Sequence, residues 1–452
     1  MMRSMYSGVA GLKVHQTKMD VIGNNIANVN TIGFKSQKVS FSDLFYQTSQ
    51  IASGPNEEGT KGGSNARQVG LGTTVAQIST NITDRGGAQS TGNALDVMIN
   101  GSSFFIIQGD DGGEYYSKAG NFTTDGNGNL VTGGGNYVMG YTAAKDPDTG
   151  DYTLQKDKLR PVSIYGAEYM TTEPAQTTSA TLSGNINAQD DAFDTKGSGI
   201  ISTKLYAFDS LGNKYGVQFD IEKVSSTEYT LKPSTIYNGT TVEAGMSAVF
   251  SGDGVNADGS VTLTFDGTKG TITNDPAQFT LNITDGSANL PSFASDITVD
   301  FSSMTSYGSS TSVSANAGID NLGAGKAVGN MTSFGISDDG SIVASYTNGD
   351  VVTIGQLVTA QFSNPSGLEK AGDNLFAQTL NSGTINYQTI DAAGESMTGG
   401  AVEMSNVDLA TEFTDMIVTQ RGFQANSRII TTSDSMIEEL LKIGRASCRE
   451  RV

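Results

Sequence analysis

Residues 1–48 read MMRSMYSGVAGLKVHQTKMDVIGNNIANVNTIGFKSQKVSFSDLFYQT, and their apolar side chains recur with a helical period. One row repeats every seven residues and contains Met5, Leu12, Met19 and Ile26. A second row, offset by three positions, contains Gly8, His15, Ile22 and Val29. A seven-residue apolar repeat places one stripe on one side of a helix and favours packing against another helix. The sequence therefore predicts an amphipathic helix at the N-terminus.

The other end of the chain carries a matching segment, SNVDLATEFTDMIVTQRGFQANSRIITTSDSMIEELL, over residues 405–441. Its apolar row, also spaced by seven and widened by Phe413 and Leu441, contains Leu409, Met416, Phe423, Ile430 and Ile437. Ser405 with Asp408 three residues later resembles a capping box in which Asp replaces the usual Glu. The two ends therefore predict a pair of terminal helices that pack as a coiled coil.

Both terminal helices are weak when each is considered alone. Gly8, Gly11 and Gly23 each cost about 1 kcal/mol relative to Ala in a helix interior, and isolated helices of this length are marginal in water. We therefore hypothesise that both ends become ordered only on assembly, when each buried Leu or Ile contributes roughly 1.5–3 kcal/mol. The alternative is an ordinary helical pair within one chain.

Three stretches of the sequence resemble one bacterial family. Residues 23–35, GNNIANVNTIGFK, look like the N-terminal signature of the flagellar rod, hook and hook-associated proteins. Residues 91–99, TGNALDVMI, followed by Phe104 and Phe105, are similar to the same family, as are NVDL at 406–409, QR at 420–421 and FQANSR at 423–428. The terminal signatures include Asn24, Asn25, Ala27, Asn28, Gly33, Phe34, Asn426 and Arg428.

Within this family the hook proteins fit best, because the rod proteins are shorter and lack a large middle insertion. The resemblance implies a structural subunit of the flagellar hook, which polymerises into a curved, flexible tube and transmits motor torque from rod to filament. It also implies that the terminal helices line the inner tube. We expect the assembly contacts at Met5, Leu12, Met19, Ile22, Ile26, Leu409, Phe413, Met416, Phe423, Ile430 and Ile437.

The resemblance also implies partners and a location. The partners would be further copies of the chain, the distal rod, hook cap and hook–filament junction proteins, and the flagellar export apparatus. Export through the flagellar type III channel would place the chain in the extracellular hook without a cleaved signal, and the N-terminus lacks the apolar core of a secretory signal peptide. Two alternatives stay open: a flagellar rod protein of the same family, and an extracellular glycan-binding β module.

The composition fits an exported structural polymer. The chain has 56 Gly and no Trp, and only 16% of its residues are charged, which favours many short strands and turns. A formal net charge of −20 argues against binding to nucleic acid and to an anionic membrane surface. The longest purely apolar run, at residues 104–107, is too short for a transmembrane helix, so no membrane insertion is expected.

The sequence predicts a mainly β fold with α-helical termini and nested β-domains between them. We divide it into a terminal helical domain (1–30 plus 402–442), a connector (31–71), a first β domain (72–144 plus 329–401) and an inserted outer β domain, a sandwich or barrel (145–328). Residues 443–452 have the sequence IGRASCRERV, which translation of a DNA-sequencing adapter attached to the gene would produce. We therefore interpret them as a non-native tail. That tail contains Cys448, the single cysteine of the chain.

Alternating apolar residues predict the strands of both β domains. Residues 203–208 and 217–221, joined by the turn DSLGN, predict a hairpin, and residues 261–265, 279–283 and 297–301 alternate in the same way. In the first β domain, residues 96–101 and 104–107 predict two strands. The segment DGNGNL at 125–130 superficially resembles a calcium loop, but Leu130 stands where Gly is needed and Asn136 where Glu is needed, so we expect a hairpin turn.

Little in the sequence supports catalysis. His15 is the single histidine, and in the helical row it is expected to be a packed seam residue. The carboxylates are scattered through Gly-rich turns, where solvated Asp is common. Residues 133–135, GGG, lie between predicted strands and not between a strand and a helix, as a phosphate-binding loop would. We therefore expect no enzymatic activity, no cofactor and no metal site.

Overall fold

The structure is a computed structural model that describes residues 2–55, 62–146, 152–190, 193, 199–243, 245–275, 277–285, 293–320 and 322–449. It divides into two compact units. Unit 1 comprises Met1–Gly166, Phe334–Ala344 and Val352–Val452, and unit 2 comprises Ala167–Ser333 and Ser345–Val351. Residues 450–452 of the predicted non-native tail lie outside the described residues.

Two long helices lie at the ends of the chain, α1 (Met2–Ala27) and α2 (Leu409–Arg449). Asp408 caps α2: its carboxylate accepts from the Ala410 amide at 2.9 Å and from the Thr411 hydroxyl at 2.8 Å. The predicted capping box with Ser405 at its start is therefore wrong. The helix starts where predicted, but Asp408 itself is the N-cap, a position that Asp favours because its carboxylate accepts from free amides of the first turn.

Thirty-three described strands lie between the helices. Before residue 166 they are β1 (Gln37–Asp43), β2 (Tyr46–Gln50), β3 (Arg67–Gly70), β4 (Thr73–Thr80), β5 (Ala88–Ser90), β6 (Val97–Asn100), β7 (Phe104–Gln108), β8 (Glu114–Ser117), β9 (Phe122–Thr124), β10 (Leu130–Thr132), β11 (Tyr137–Lys145), β12 (Tyr152–Leu154) and β13 (Arg160–Pro161). Then come β14 (Thr171–Thr172), β15 (Ser179–Asn185), β16 (Ile200–Phe208), β17 (Lys214–Lys223), β18 (Glu228–Asn238), β19 (Thr241–Val242), β20 (Met246–Ser251), β21 (Val261–Thr264), β22 (Gln278–Asp285), β23 (Ile297–Asp300), β24 (Met304–Thr305) and β25 (Ser312–Ala317). The last are β26 (Gly329–Ile336), β27 (Ser341–Tyr346), β28 (Val351–Phe362), β29 (Glu369–Gly372), β30 (Leu375–Ala377), β31 (Ile385–Thr389), β32 (Ser396–Gly399) and β33 (Ala401–Glu403), with a short 3-10 helix at Pro365–Gly367.

The main sheet of unit 1 runs in the order β28–β11–β7–β8–β30–β29. Its centre is β7, whose run Phe-Phe-Ile-Ile is buried at all four positions because the strand is covered on both faces. The Phe104 ring packs edge-on against Phe362 at 5.7 Å, and Phe362 packs against Tyr116 at 4.8 Å. The two predicted strands here are confirmed as β6 and β7, although β6 pairs with β32.

Residues 31–80 form antiparallel ribbons as well as loops. Strand β1 pairs with β4, and β2 pairs with β3. The predicted connector at 31–71 therefore contains strands that the sequence analysis did not identify. Every residue of β2 and β3 is exposed, so no buried apolar alternation marks them in the sequence.

Unit 2 contains two sheets around one core. One has the order β16–β17–β18–β19, and the other has the order β20–β22–β23–β15–β24. Inward side chains of both sheets, such as Val217, Phe219 and Leu281, form a single buried cluster. The predicted hairpin is confirmed: β16 pairs with β17, and the turn between them is held by the buried Asp209, whose carboxylate accepts from the Leu211 and Asn213 amides.

The second predicted turn, at residues 125–130, is also confirmed. It joins β9 to β10, and the Asp125 carboxylate accepts from the amides of Asn127 at 2.9 Å and Asn129 at 2.7 Å. The mainly β fold with paired terminal helices and nested β-domains is confirmed as a class. Unit 2 starts at residue 167; the four-domain division, with its outer domain at 145–328, stays a prediction.

Candidate assembly site at the terminal helices

Helices α1 and α2 pack antiparallel along a seam of small and polar side chains. Contacts run from Ser4 with Ser433 at 3.5 Å at one end to the Asn25 amide, which donates to Glu412 at 2.9 Å, at the other. Between them, Lys18 pairs with Asp415 at 3.4 Å. On α1 the seam residues alternate in spacings of four and three: Ser4, Gly8, Gly11, His15, Lys18, Ile22 and Asn25.

Three glycines let the two helices approach closely. A Cβ on Gly11 would lie 2.6 Å from the Asn426 side-chain nitrogen, and a Cβ on Gly422 would lie 2.7 Å from the His15 ring. A Cβ on Gly8 would lie 3.3 Å from Ile430. Glycine in a helix interior is unfavourable by propensity, but here it makes room for the opposing side chains.

Burial shifts the pKa values of two titratable residues in the seam. Burial lowers the pKa of His15, and nearby Lys18 lowers it further, so a neutral ring is favoured at this position. The His15 Nδ1 is buried without a hydrogen-bond partner among the described residues, and the ring packs edge-on against Phe41 at 6.0 Å. Burial raises the pKa of Glu412, partly opposed by the hydrogen bond from Asn25. The predicted seam role of His15 agrees with these contacts.

The predicted assembly residues lie mostly beside this seam and not in it. Ile22 is buried at 3% exposure, and Ile430 contacts Gly8 across the seam. The half-buried ones are Met5, Leu12, Met19, Ile26, Met416, Phe423, Ile430 and Ile437. Leu409 and Phe413 are exposed, at 39% and 50%. The single chain therefore does not bury all of its predicted apolar rows.

Sequence reasoning missed part of the outer apolar surface of α2. Ile417 and Val418 are 58% and 60% exposed, and Ile429, Met436 and Leu440 are exposed as well. Leu441, which the sequence analysis included in the row, is 63% exposed. The spacing of Leu409, Phe413 and Ile417 by four residues would have identified one continuous row. In this structure of one chain the terminal helices form an intramolecular pair, which is the second of the two alternatives considered above for the ends.

The signature residues of the N-terminal motif stabilise the turn that follows α1. The Asn25 amide donates to the Gln37 carbonyl at 2.8 Å, and its oxygen accepts from the Gln37 amide at 2.9 Å, in the manner of a β-bridge. Asn28 donates to the Asn24 carbonyl at 2.9 Å and accepts from the Thr31 hydroxyl at 3.0 Å. Ala27 is the exposed last residue of α1.

Gly33 and Phe34 continue this turn into the β domain. Gly33 has a φ of +68°, and a Cβ there would lie 2.6 Å from the Ala119 amide nitrogen, so only glycine fits. The Phe34 ring is buried, with the Lys370 ammonium 4.5 Å from its centre. At the other terminus, Asn426 fills the space beside Gly11, while the Arg428 side chain is exposed and its carbonyl accepts from the Thr432 hydroxyl at 2.8 Å.

A buried ion pair, Lys35 with Glu403, ties the two ends of the chain together just inside the helices. The Lys35 ammonium donates to Glu403 at 2.8 Å and to the Asp84 carbonyl at 2.8 Å, and both side chains have no exposed surface. Beyond it, the Asn406 oxygen accepts from the Ser36 amide at 2.8 Å. The sequence analysis did not single out Lys35 or Glu403, because their contact spans most of the chain.

The described residues contain no group of three or more His, Cys, Asp or Glu side chains arranged to hold a metal ion. Among the helices of the same residues, none is long and apolar enough to cross a membrane. The arrangement is that of a helical pair joined by small, polar and a few apolar side chains, with further apolar residues exposed on α2, which suits packing against other protein surfaces.

Four family models match the chain. They are the flagella basal body rod protein over residues 5–35, the flagellar hook protein FlgE/F/G D1 domain over 98–191, the flagellar basal body protein FlaE D2 domain over 178–317, and the flagellar basal body rod FlgEFG protein C-terminal region over 398–443. Together they cover both helical ends and both β regions.

Relatives match over nearly the whole chain. The flagellar hook protein FlgE of Borreliella burgdorferi is 35% identical, with 98% of this chain and 100% of the relative aligned. That of Treponema pallidum is 33% identical over the same shares. The flagellar basal-body rod protein FlgG of Bacillus subtilis is 29% identical over 98% of this chain and 100% of its own. At this identity and coverage, the chain belongs to the flagellar hook protein family.

Proposed function

We propose that the chain builds the tube of the flagellar hook by packing the outer faces of its terminal helices against those of other copies. The chain is a structural subunit of the bacterial flagellar hook, a flexible joint that transmits torque. The observation that carries the proposal is the exposed row Leu409, Phe413 and Ile417 on α2, beside an intramolecular seam that is already complete.

The seam and the outer rows have different chemistry, and this supports different roles. The seam joins small and polar side chains through hydrogen bonds and one ion pair. The outer rows are apolar, and contiguous apolar surface on a soluble chain marks a protein contact. A helical tube needs head-to-tail contacts between unlike surfaces of neighbouring copies, and α1 and α2 offer two such faces.

Other parts of the function rest on the family. We propose that the distal rod, hook cap and hook–filament junction proteins adjoin the ends of the tube, and that the chain is exported by the flagellar apparatus without a cleaved signal. Its place in the flagellum follows from the family. The β regions would make the outer contacts between copies, which slide as the tube bends. No catalytic step is part of the proposal.

Replacing Phe413 by Asp tests the helical contact. Phe413→Asp should prevent tube formation at concentrations at which the unaltered chain forms tubes, because an apolar contact would bury a carboxylate without a partner. The measurement is electron microscopy and sedimentation of the purified protein under assembly conditions. Phe413 is half exposed in the single chain, so circular dichroism and the unfolding midpoint should not change.

The matched control is Thr414→Asp, which adds the same charge to the same helix at an exposed polar position about 100° around the helix from Phe413. It should assemble normally. Tubes from Phe413→Asp that match those of Thr414→Asp in number and length would contradict the proposal. The sequence analysis led to the parallel expectation that Leu12→Asp and Phe423→Asp abolish tubes and leave the β domains folded, and the same assay tests it.

A rod function within the same family is the second candidate. The observation in its favour is the full-length match to a protein named as a rod protein. Electron microscopy separates the two, because a hook subunit should form curved tubes and a rod subunit straight, rigid ones.

A further inference from the structure

Two lysines on the outer face of one sheet of unit 2 lie over tyrosine rings. The Lys204 ammonium lies 4.0 Å from the centre of the Tyr237 ring, and the Lys214 ammonium lies 4.3 Å from the centre of the Tyr206 ring. Both lysines are exposed, and neither forms an ion pair with a carboxylate of the described residues. We call these four residues the lysine–tyrosine patch. It exposes positive charge on a chain whose formal net charge is −20.

The sheet holds the two tyrosines of the patch in place. Gly216, on the central strand β17, pairs with Tyr206 on one side and with Tyr237 on the other, so no side chain separates the two rings. The Tyr237 hydroxyl donates to the Gln218 side-chain oxygen at 3.1 Å. Tyr206 is nevertheless 52% exposed. Side chains that are ordered before binding lose less conformational entropy when a partner covers them.

The other end of this outer face carries carboxylates. The Asp220 carboxylate accepts from the Ser202 hydroxyl at 2.6 Å, and Glu222 is exposed two residues further along β17. Lys232, which lies across the β17–β18 ladder from Asp220, pairs with Asp258 at 3.8 Å. Positive charge without a carboxylate partner is therefore concentrated at the end of the face that carries the patch.

The second sheet of unit 2 presents the opposite charge. Its strands β20, β22, β23, β15 and β24 contain no Lys, Arg or His, and residues 270–325 contain none either. Ile297 and Val299 are buried in the core, so Asp300, and Asp296 just before the strand, lie on the outer side. Among the described residues, neither aspartate has a cationic partner.

The two charged faces lie on opposite sides of unit 2, because its two sheets enclose one core. Leu205 follows Lys204 on β16 and points into this core, and Val299 precedes Asp300 on β23 and does the same. The lysines and the aspartates of one chain therefore point away from each other. Complementary surfaces at different places on one molecule make head-to-tail contacts, which generate a helical polymer when they repeat without closing.

We propose that the lysine–tyrosine patch of one copy docks on the outer face of the second sheet of unit 2 in the next copy, at Asp296 and Asp300. This contact rests on the proposed function, because it names the surfaces through which the β regions of neighbouring copies meet. Charge complementarity favours a second copy as the partner, since its second sheet offers carboxylates without competing cations. Contacts between exposed charges are weak and are screened by salt, which suits an outer contact that slides.

Charge reversal on each side, alone and together, tests the contact in the full-length protein. Lys214→Glu should raise the protein concentration needed for tube assembly about tenfold, because it sets a carboxylate against the aspartates of the next copy. Asp296→Lys should do the same by setting a lysine against the patch. The double variant Lys214→Glu/Asp296→Lys restores opposite charges across the contact, and it should assemble near the concentration that the unaltered chain needs.

Two matched controls make the same changes of charge in turns outside both faces. They are Lys269→Glu, after β21, and Asp253→Lys, after β20, and both positions are exposed. Neither change should alter the assembly concentration. Every variant replaces an exposed side chain, so circular dichroism and the unfolding midpoint should match those of the unaltered chain.

Carbodiimide coupling identifies the partner directly, because it joins a lysine to a carboxylate in contact with it. In tubes assembled from a mixture of isotope-labelled and unlabelled chains, mass spectrometry should find links from Lys204 or Lys214 of one copy to Asp296 or Asp300 of another. The dilute monomer should give no such links.

The outcomes separate the two proposals. If the unaltered chain forms no tubes, the proposed function fails. If tubes form but the double variant assembles no better than the single variants, or the controls are equally impaired, the contact between the two faces is wrong and the proposed function stands. Links from the patch only to other carboxylates, whether of another copy or of a different protein, would also overturn the contact.

Discussion

At the scale of single residues, Lys118 is a buried cation whose titration should make the stability of unit 1 depend on pH. Its ammonium is 2% exposed, donates to the Gly101 carbonyl at 2.8 Å and lies 4.9 Å from the centre of the Phe104 ring. Glu403, the carboxylate that most favours the charged form of Lys118, is already bonded to Lys35. Burial therefore lowers the pKa of Lys118 to about 8, against an ordinary value of 10.5, although Glu403 opposes the shift.

The sign of the resulting pH dependence is unusual for a lysine. Between pH 8 and pH 10.5 the unfolded chain holds a proton at Lys118 that the folded chain has released. The free energy of unfolding should therefore rise with pH in this window, with a contribution of up to about 1.4 kcal/mol per pH unit from this group. Below pH 8 both states are protonated, and this contribution to the slope vanishes.

Denaturant unfolding of the unaltered chain and of Lys118→Met between pH 7 and pH 11 would measure this effect. The difference in unfolding free energy between the two proteins should change across the window, because the methionine variant lacks the group. Lys232→Met is the control, since Lys232 is half exposed and its removal should leave the slope as it is. Parallel curves for the unaltered chain and Lys118→Met would contradict the assignment.

The signature residues could be identified from the sequence, but their partners could not. Asn25 bonds to Gln37, 12 residues away, and to Glu412, 387 residues away. Lys35 meets Glu403 across 368 residues. A local sequence pattern does not reveal contacts between residues that lie so far apart in the chain. Whether a charged residue is buried depends on the group that pairs with it, and here that group is distant in sequence. The ion pair at the base of the helices therefore became visible only in the folded chain.

At the scale of elements, the helical pair shows what a heptad pattern can and cannot predict. The seven-residue repeats at both ends predicted two long helices, and α1 and α2 lie there. The row Gly8, His15 and Ile22 does lie in the seam, but the repeats did not predict that Gly11 and Gly422 would let the helices approach closely there. Small residues let two helices approach closely. A periodic row of apolar residues indicates which face of a helix packs, but it does not indicate what that face packs against.

Two glycine variants test the close seam. Gly422→Ala should lower the unfolding free energy of the helical pair by about 1–2 kcal/mol, because an added methyl meets the His15 ring at 2.7 Å and overpacking costs typically 1–3 kcal/mol, partly offset by better helix propensity. Gly23→Ala has open space within 4 Å and should instead stabilise the pair by about 1 kcal/mol.

Hydrogen exchange of α1 and α2 in the monomer would measure both glycine changes. The two Gly→Ala substitutions are expected to change the unfolding free energy of the helical pair in opposite directions. If Gly422→Ala stabilised the pair as much as Gly23→Ala does, the helices would not be packed as closely as this seam requires. Strong protection of residues 5–26 in the monomer would also decide against the hypothesis that the ends order only on assembly.

The strands were predicted unevenly for a physical reason. Strand β17 alternates buried and exposed positions and packs into a core, so the period of two marked it in the sequence. Strands β2 and β3 are exposed throughout and pair only with each other. Strands that pair only through backbone hydrogen bonds need no alternation of apolar side chains. The sequence therefore predicted a connector at residues 31–71 instead of strands.

At the scale of the whole molecule, the inserted region carries its own core. The buried cluster of unit 2 lies between Ala180 and Met304, within that unit. Its two sheets could be predicted from alternation, but the edges of the unit could not. Strands β12 and β13, inside the predicted outer domain, pair with β11 of unit 1. Short strands at domain boundaries have too few residues for their pattern to reveal which sheet they join.

Two fragments of the chain would locate the edge of the outer domain, 167–351 and 167–328. Both should fold, because both contain the whole core cluster. Fragment 167–328 lacks Gly329 and Asn330, which pair with Thr172 and Thr171, and Asn348, which donates to Thr172 and to the Ala327 carbonyl. At about 0.5–1.5 kcal/mol for each lost hydrogen bond, its unfolding free energy should be lower by about 2–5 kcal/mol. Equal stability in urea titration would place the edge at 328, as the sequence predicts, and non-cooperative unfolding of both would mean that unit 2 depends on the rest of the chain.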